Sequence, residues 1–365
     1  MRFQKNYLVA VSGVMMLVVS FVLSAPRTTK ATSSISQAEV ADTSDDLSID
    51  ASLGDTQVAL KRKHRRPSGT LIVIQIIAVL IARPSDNGGP PMTDLNATIT
   101  GADAVQGSLL YALAWLAGYP DPLRSVRALG YDIDVSEEHD RPCTDGPPSE
   151  LCQERARRLA TLLDATLALG SPDERLQFRQ GASALGVAPD CSAAATTGDS
   201  PVLRAASPDR PADLLIDAAI GDRQIVLTRK GGGSRVEYMD IRLKDVIITT
   251  VQPGHPDHSD GVDLNVRITG ADMIPGSLLY ALAWLAGQPD PLGSVRALGY
   301  DIAVANPHVH SCSNQLSSHT CEDAARNLAT LMDATLALGD PAERARFRQD
   351  ASLIGVAPDC IVPEP

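Results

Sequence analysis

The feature that most constrains this chain is that much of it is written twice. Residues 101–191 align with 270–360 without a gap, at an offset of 169. GSLLYALAWLAG stands at 107–118 and 276–287, SVRALGYDI at 125–133 and 294–302, and LATL-x-DATLALG at 159–170 and 328–339. Further upstream the match is weaker. Asp46-Leu47-Ser48-Ile49-Asp50-Ala51 corresponds to Asp213-Leu214-Leu215-Ile216-Asp217-Ala218 at an offset of 167, so the second copy gains two residues near a hairpin turn. Self-similarity at a fixed long period predicts one folding unit used twice. The boundaries follow: unit 1 at 46–191 and unit 2 at 213–360, with linkers at 32–45 and 192–212 and a tail at 361–365. Ser, Thr, Ala, Asp and Pro dominate both linkers, a composition suited to connecting chain rather than core.

Each unit divides again, which predicts an α+β fold: an antiparallel β half (46–100 and 213–269), then a disulfide-stabilised helical half (101–191 and 270–360). In the β half of unit 2, Met239, Ile241 and Leu243 alternate with Asp240, Arg242 and Lys244, the period of a half-buried strand. Leu71–Ala82 is rich in Ile and Val, as a buried strand is. Lys61–Arg66 aligns with the Lys230–Ser234 turn and predicts a solvated turn. His255–Asp260 predicts a solvated hairpin loop. In the helical half, Ser108 and Ser277 predict starts of Ala/Leu helices that end at Gly118 and Gly287. Asp121-Pro122 and Asp290-Pro291 read as an N-cap followed by Pro at the first helical position. Ser149 predicts the start of the longest helix, ended by Gly170, and Ser171-Pro172-Asp173-Glu174 predicts a capping box. Trp115 and Trp284, each one turn after Tyr111 or Tyr280, read as core packing.

The N-terminus predicts a compartment. Arg2 and Lys5 precede an apolar run, Leu8–Leu23, and small residues follow at Ser24 and Ala25. That order reads as a signal peptide over 1–31. The run is short of the roughly 20 residues a spanning helix needs, so a secreted or periplasmic chain is expected, or an anchored one if the segment stays uncleaved. The net charge of -12 becomes -16 when the four positive charges of 1–31 are removed. Such an acidic chain predicts no nucleic-acid partner and no membrane association of the mature form.

An oxidising compartment makes disulfides the default for the six cysteines, Cys143, Cys152, Cys191, Cys312, Cys321 and Cys360. Cys143–Cys152 and Cys312–Cys321 each bracket a short polar loop before a helix, which leaves Cys191 and Cys360 to bridge the units. Cys152–Cys191 is the rival pairing. The loop at 308–321 also holds His308, His310, Cys312, His319 and Cys321. These are zinc-ligand types at close spacing, but thiolates and disulfides exclude one another, and no cofactor is expected. Asn96-Ala97-Thr98 is a glycosylation sequon. No G-x-S-x-G, H-E-x-x-H, P-loop or G-x-G-x-x-G sequence occurs, so no catalytic residue is assigned.

The β half of unit 2 resembles the Hcp family, the tube protein of type VI secretion. The residues that carry this are Ile225–Gly232, a strand ending in R-K-G-G, then Val236–Ile248, of the Y-M-x-I-x-L-x-D-V-I type, then Val251 and the closing strand Val262–Ile268. The match covers 213–268, with a weaker copy at 46–99. The resemblance implies a small antiparallel β-barrel able to stack in rings. The expectation is therefore a non-enzymatic secreted protein that assembles or binds a protein partner. The alternatives are a secreted effector, toxin or hydrolase with unmarked catalytic residues, and metal binding through 308–321.

Overall fold

The computed structural model describes residues 46–53, 56–65, 71–79, 94–141, 150–191, 213–221, 223–231, 239–247, 261–309, 312 and 318–359. Residues 1–45, which hold the predicted signal peptide and first linker, the predicted linker 192–212, the tail, the 255–260 loop, Cys143 and Cys360 lie outside them. The described residues all fall in one compact unit.

Among the described residues ten strands form one antiparallel sheet. They are β1 (Leu47–Leu53), β2 (Thr56–Arg65), β3 (Leu71–Val79), β4 (Asp94–Thr100), β5 (Asp134–Arg141), β6 (Leu214–Ile220), β7 (Arg223–Gly231), β8 (Met239–Ile247), β9 (Gly261–Thr269) and β10 (Ala303–Val309). Their order across the sheet is β10-β9-β8-β7-β6-β1-β2-β3-β4-β5. The two ends are thus built from matching strands, and they meet where β1 pairs with β6. At that seam Leu47 faces Ile220, Asp50 faces Asp217 and Leu53 faces Leu214, so the pairing reads the same from either strand.

Alternation sets the two faces. In β1, Leu47, Ile49, Ala51 and Leu53 are buried while Ser48, Asp50 and Ser52 are half-buried. β6 repeats this pattern. Eight helices accompany the sheet among the described residues: α1 (Ala104–Leu116), α2 (Pro122–Ala128), α3 (Glu150–Leu167), α4 (Pro172–Ala184), α5 (Met273–Leu285), α6 (Pro291–Ala297), α7 (Ser318–Leu336) and α8 (Pro341–Leu353). α1 packs on β3 and β4, α5 on β8 and β9, and the α3/α7 pair on β1 and β6 at the seam. α1 and α5 are apolar nearly all round and buried along their length, as helices held between a sheet and other helices must be. One apolar cluster runs through residues of both sheet ends and all these helices.

Several local expectations hold. Asp121 accepts from the Arg124 backbone N–H at 2.9 Å and Asp290 from that of Gly293 at 2.8 Å, each with Pro next to the cap. β3 occupies the predicted Ile/Val stretch, with Ile74 fully buried.

Others are corrected. Lys61–Arg65 is not a turn but the end of β2, paired with Leu71–Gln75 of β3. Its charges alternate: Lys61 and Lys63 are exposed, while Arg62 takes the core side, following Val58 and Leu60. α1 starts at Ala104, not Ser108. The Ser108 hydroxyl donates to the Val105 carbonyl inside the helix at 2.7 Å. Ser171 makes no side-chain cap, and Glu174 is drawn instead to the buried Arg62. Asp340, at the equivalent place, does cap, accepting from Ala342 N–H at 2.9 Å.

Strands β5 and β10 lie within stretches read as wholly helical. Both are edge strands with a register irregularity. Edge strands tolerate charge and proline because one side of the backbone needs no partner strand. Glu137-Glu138-His139-Asp140 and Pro307 therefore conceal the strand signal.

Gly101 and Gly270 turn the chain from β4 into α1 and from β9 into α5 at φ 122° and 120°. A Cβ at either would strike a backbone carbonyl, that of Asp132 or Asp301. Only glycine fits this approach.

Candidate functional site: the seam between the two sheet ends

Above the β1–β6 seam, α3 and α7 each present a buried carboxylate, Asp164 and Asp333. Asp164 takes four N–H groups: Arg175 Nε at 3.1 Å and NH2 at 2.9 Å, and Arg179 Nε at 2.5 Å and NH2 at 2.8 Å. Asp333 is held the same way. Arg344 reaches it at 3.0 and 2.8 Å, and Arg348 at 2.6 and 2.7 Å. The spacing explains the geometry. Positions 175 and 179, like 344 and 348, lie four apart on α4 and α8 and share one helix face.

The networks then cross. Arg175 donates to the Asp359 carboxylate at 2.6 Å and its backbone carbonyl at 3.0 Å. Arg344 donates to the Asp190 carboxylate at 2.7 Å and its carbonyl at 2.8 Å. Each of these aspartates lies near the end of one of the two similar stretches, 101–191 and 270–360, and sits on an arginine of the other. Their own amides donate to Thr161 and Thr330 Oγ1, at 2.9 and 2.8 Å, on the helix of the same copy. Burial alone lowers the Arg175 and Arg344 guanidiniums, but bonds and charge from Asp164 with Asp359, and from Asp333 with Asp190, outweigh it and raise both.

Further contacts cross the same line. Arg158 donates to the Leu338 carbonyl at 3.3 Å and Arg223 to the Leu169 carbonyl at 2.6 Å. These carbonyls lie just past the ends of α7 and α3, where a helix favours cations. Arg62 and Arg229 point from β2 and β7 into the core, 0% and 1% exposed, toward Glu174 at 2.8 Å and Glu343 at 3.5 Å. Desolvation lowers the Arg229 guanidinium, opposed by Glu343 and Asp213.

A small cavity of about 100 Å³ opens here, lined by Glu154, Arg157, Arg158, Thr161, Asp190 and Arg344 among others. Ligand pockets usually measure about 300–1,000 Å³ and are mostly apolar. This one is small, and its Arg158 and Arg344 are committed to Glu154, Asp190 and Asp333.

One half carries a second polar cluster. The Tyr300 hydroxyl, buried by α8, donates to Asp350 and accepts from Arg346 Nε at 3.0 Å, and the Arg346 guanidinium lies 4.8 Å from the Tyr300 ring centre. Burial first, then Asp350, raises the Tyr300 hydroxyl well above the ordinary tyrosine value. It is a fixed donor rather than a nucleophile. The positions equivalent to Arg346 and Asp350 are Gln177 and Gly181, so the first half lacks this cluster.

Cys312 and Cys321 form a disulfide. That removes both thiolates from the zinc reading of 308–321. His308 lies on β10 and His319 on α7, while His310 is outside the described residues. No group of three His, Cys, Asp or Glu suited to a metal occurs among the described residues. Cys152 and Cys191 are each disulfide-bonded, and among the described residues no cysteine is free. Trp115 and Trp284 are buried in the core, 3% and 6% exposed, rather than displayed as a platform. Asn96 is exposed on β4.

No family model, curated protein or solved structure matches the chain. Among the described residues no helix is long and apolar enough to cross a membrane.

The sequence reading missed the Arg–Asp networks. Arg175 and Arg179 recur at 344 and 348, opposite recurring Asp164 and Asp333. That signal was present, but charged residues in helices read first as solvated faces.

Proposed function

We propose that the chain is a tandem duplication whose two units form a fused pseudo-dimer, and that it works as a secreted, non-enzymatic protein that assembles or binds a protein partner. The observation behind this is the use of buried charge. Asp164, Asp333, Arg175 and Arg344 are consumed in joining the sheet ends, and the cavity beside them is small and lined by charges already paired with one another. An active site instead gathers perturbed titratable groups in an open cleft. The symmetric β1–β6 register, with Asp50 facing Asp217, supports the duplication reading.

The sheet face opposite the core is the surface offered to a partner. It spans both ends of the sheet and carries exposed Lys61, Lys63, Lys230 and Arg242, with Arg267 paired to Asp240 and the half-buried Asp50 and Asp217 at its centre, in a chain of net charge -12. An acidic partner surface fits it. The Hcp likeness belongs to the residues of β6–β9 and adds ring assembly as the form that association takes.

Size-exclusion chromatography with light scattering tests the reading over a concentration series. Oligomers, hexamers above all, are the expected result for assembly. A strict monomer at high concentration removes assembly and leaves partner binding. Charge reversal at Lys61, Lys63 and Arg242 should then abolish capture of an acidic partner without lowering the melting temperature.

A further inference from the structure

We infer that the cavity at the seam is a site for a small tetrahedral oxyanion such as phosphate or sulfate, held by Arg157, Arg158 and Arg344. The charges around it are paired, but they do not balance. Among the described residues the guanidiniums of Arg157, Arg158, Arg344 and Arg348 meet the carboxylates of Glu154, Asp190 and Asp333. Four cations share three anions, in a chain whose net charge is -12. Glu154 carries the shortage. It takes Arg158 Nε at 2.8 Å and Arg157 Nη1 only at 3.3 Å.

The equivalent place at the other side of the seam is balanced among the described residues. At the offset of 169, Glu154, Arg157 and Asp190 correspond to Asp323, Arg326 and Asp359, while Asp333, Arg344 and Arg348 correspond to Asp164, Arg175 and Arg179. There three cations meet three anions. Arg158 is the difference, because Asn327 stands at its counterpart. The surplus charge is therefore one residue, and it lines the cavity.

The geometry suits an ion. The cavity of about 100 Å³ is well below the volumes that take drug-sized ligands. Side-chain exposure falls from 44% at Arg157 through 25% at Arg158 to 8% at Arg344, so the donors run from solvent inward. Guanidiniums offer planar forks of N–H groups that match an oxyanion. The α7 carbonyls on the facing wall are engaged: Leu336 accepts from the Gly339 N–H at 3.1 Å and Leu338 from Arg158 at 3.3 Å. A bound anion supplies the acceptor that Glu154 cannot give to both arginines. Arg157 and Arg158 belong to α3 and Arg344 to α8, so the ion also ties the two sides of the seam together. The site stands whether or not the chain binds a protein partner.

The test is calorimetric titration of inorganic phosphate into the full-length protein, in chloride buffer at constant ionic strength. One saturable site per chain is expected, with sulfate competing for it. Arg158→Asn, which sets the residue of the equivalent place, should weaken phosphate by about tenfold or more, the loss of one charge-assisted contact. Arg326→Asn, on the other side, should leave the affinity unchanged. Saturating phosphate should raise the melting temperature of the parent protein by about 2–4 °C and leave that of Arg158→Asn where it was. Absence of saturable binding, equal affinity in Arg158→Asn, or displacement by chloride at matched ionic strength overturns the inference. If Arg158→Asn fails to fold, Arg157→Gln carries the same comparison with the same expected loss.

Discussion

Asp50 and Asp217 face each other directly at the centre of the β1–β6 seam. Like charges opposite one another in a sheet repel, yet this pair sits on the register's own centre. Each carboxylate is turned to its hairpin neighbour: Gln57 Nε2 donates to Asp50 at 3.0 Å and Gln224 Nε2 to Asp217 at 2.7 Å. Both aspartates are only half-buried, so water shares in the screening. The remaining repulsion should be measurable. Asp50→Asn keeps an oxygen for Gln57 and removes one charge, and should stabilise the fold by about 0.2–1 kcal/mol. Urea unfolding at low and at 0.5 M salt checks this. The gain should shrink at high salt, and a loss of stability at both salt levels contradicts it.

The buried aspartates predict a larger effect. Replacing Asp333 by Ala strands Arg344 and Arg348, 8% and 14% exposed at their side chains, beside a vacated site. Breaking a buried pair in this way costs about 3–5 kcal/mol. Asp190 is different, with a side chain 39% exposed. Solvent screens that pair, so Asp190→Ala should cost about 1 kcal/mol or less. Denaturant midpoints at constant slope separate the two. Equal losses for both variants would show that the crossing bond, not the buried carboxylate, dominates.

The two core-facing arginines are equivalent in place but not in contact. Arg62 meets Glu174 at 2.8 Å with the carboxylate 13% exposed, while Arg229 meets Glu343 at 3.5 Å with the carboxylate 31% exposed. Arg62 also reaches the Val105 carbonyl at 3.3 Å. Glu174→Ala should therefore cost about 2–4 kcal/mol and Glu343→Ala about 1 kcal/mol. Thermal unfolding of the two variants in parallel decides it, and the reverse order contradicts the geometry.

How far the sequence revealed this fold varies with the physical signal. β3, β8 and the helix caps at Asp121 and Asp290 follow from Ile/Val content, alternation and local hydrogen-bonding chemistry, all written in adjacent residues. β5 and β10 do not, because an edge strand carries charge without penalty. Arg62 illustrates the limit. Its neighbours Lys61 and Lys63 are solvent residues, and only the parity it shares with Val58 and Leu60 points it inward. The same parity holds for Arg229 after Ile225 and Leu227. The Asp164 and Asp333 networks depend on α4 and α8 docking against α3 and α7, and the crossing to Asp359 and Asp190 depends on residues far apart in the chain meeting. No window of sequence holds either fact. The 308–321 stretch shows the same limit: ligand spacing is visible in sequence, whereas the oxidation state of Cys312 and Cys321 is decided by their approach in space.

Tyr300 supplies a prediction with a defined pH window. Its hydroxyl is buried against Asp350 and Arg346 and holds its proton more tightly folded than unfolded. An unfolded tyrosine ionises near pH 10. Below that pH both states keep the proton and the stabilisation is complete. Above it the unfolded chain gains by ionising while the folded chain does not, so the advantage drains away as pH rises toward the raised folded value. Tyr300→Phe should cost about 2 kcal/mol at pH 7, the loss of a hydrogen bond to a charged partner. By pH 11 the gap between the two proteins should narrow by about 1.4 kcal/mol, one pH unit of differential ionisation. Tyr131 and Tyr280, also raised, chiefly by burial, are present in both proteins and cancel. Guanidinium unfolding of the pair at pH 7, 9 and 11 reads the effect. A gap that stays constant across that range would mean that the Tyr300 hydroxyl ionises as freely folded as unfolded.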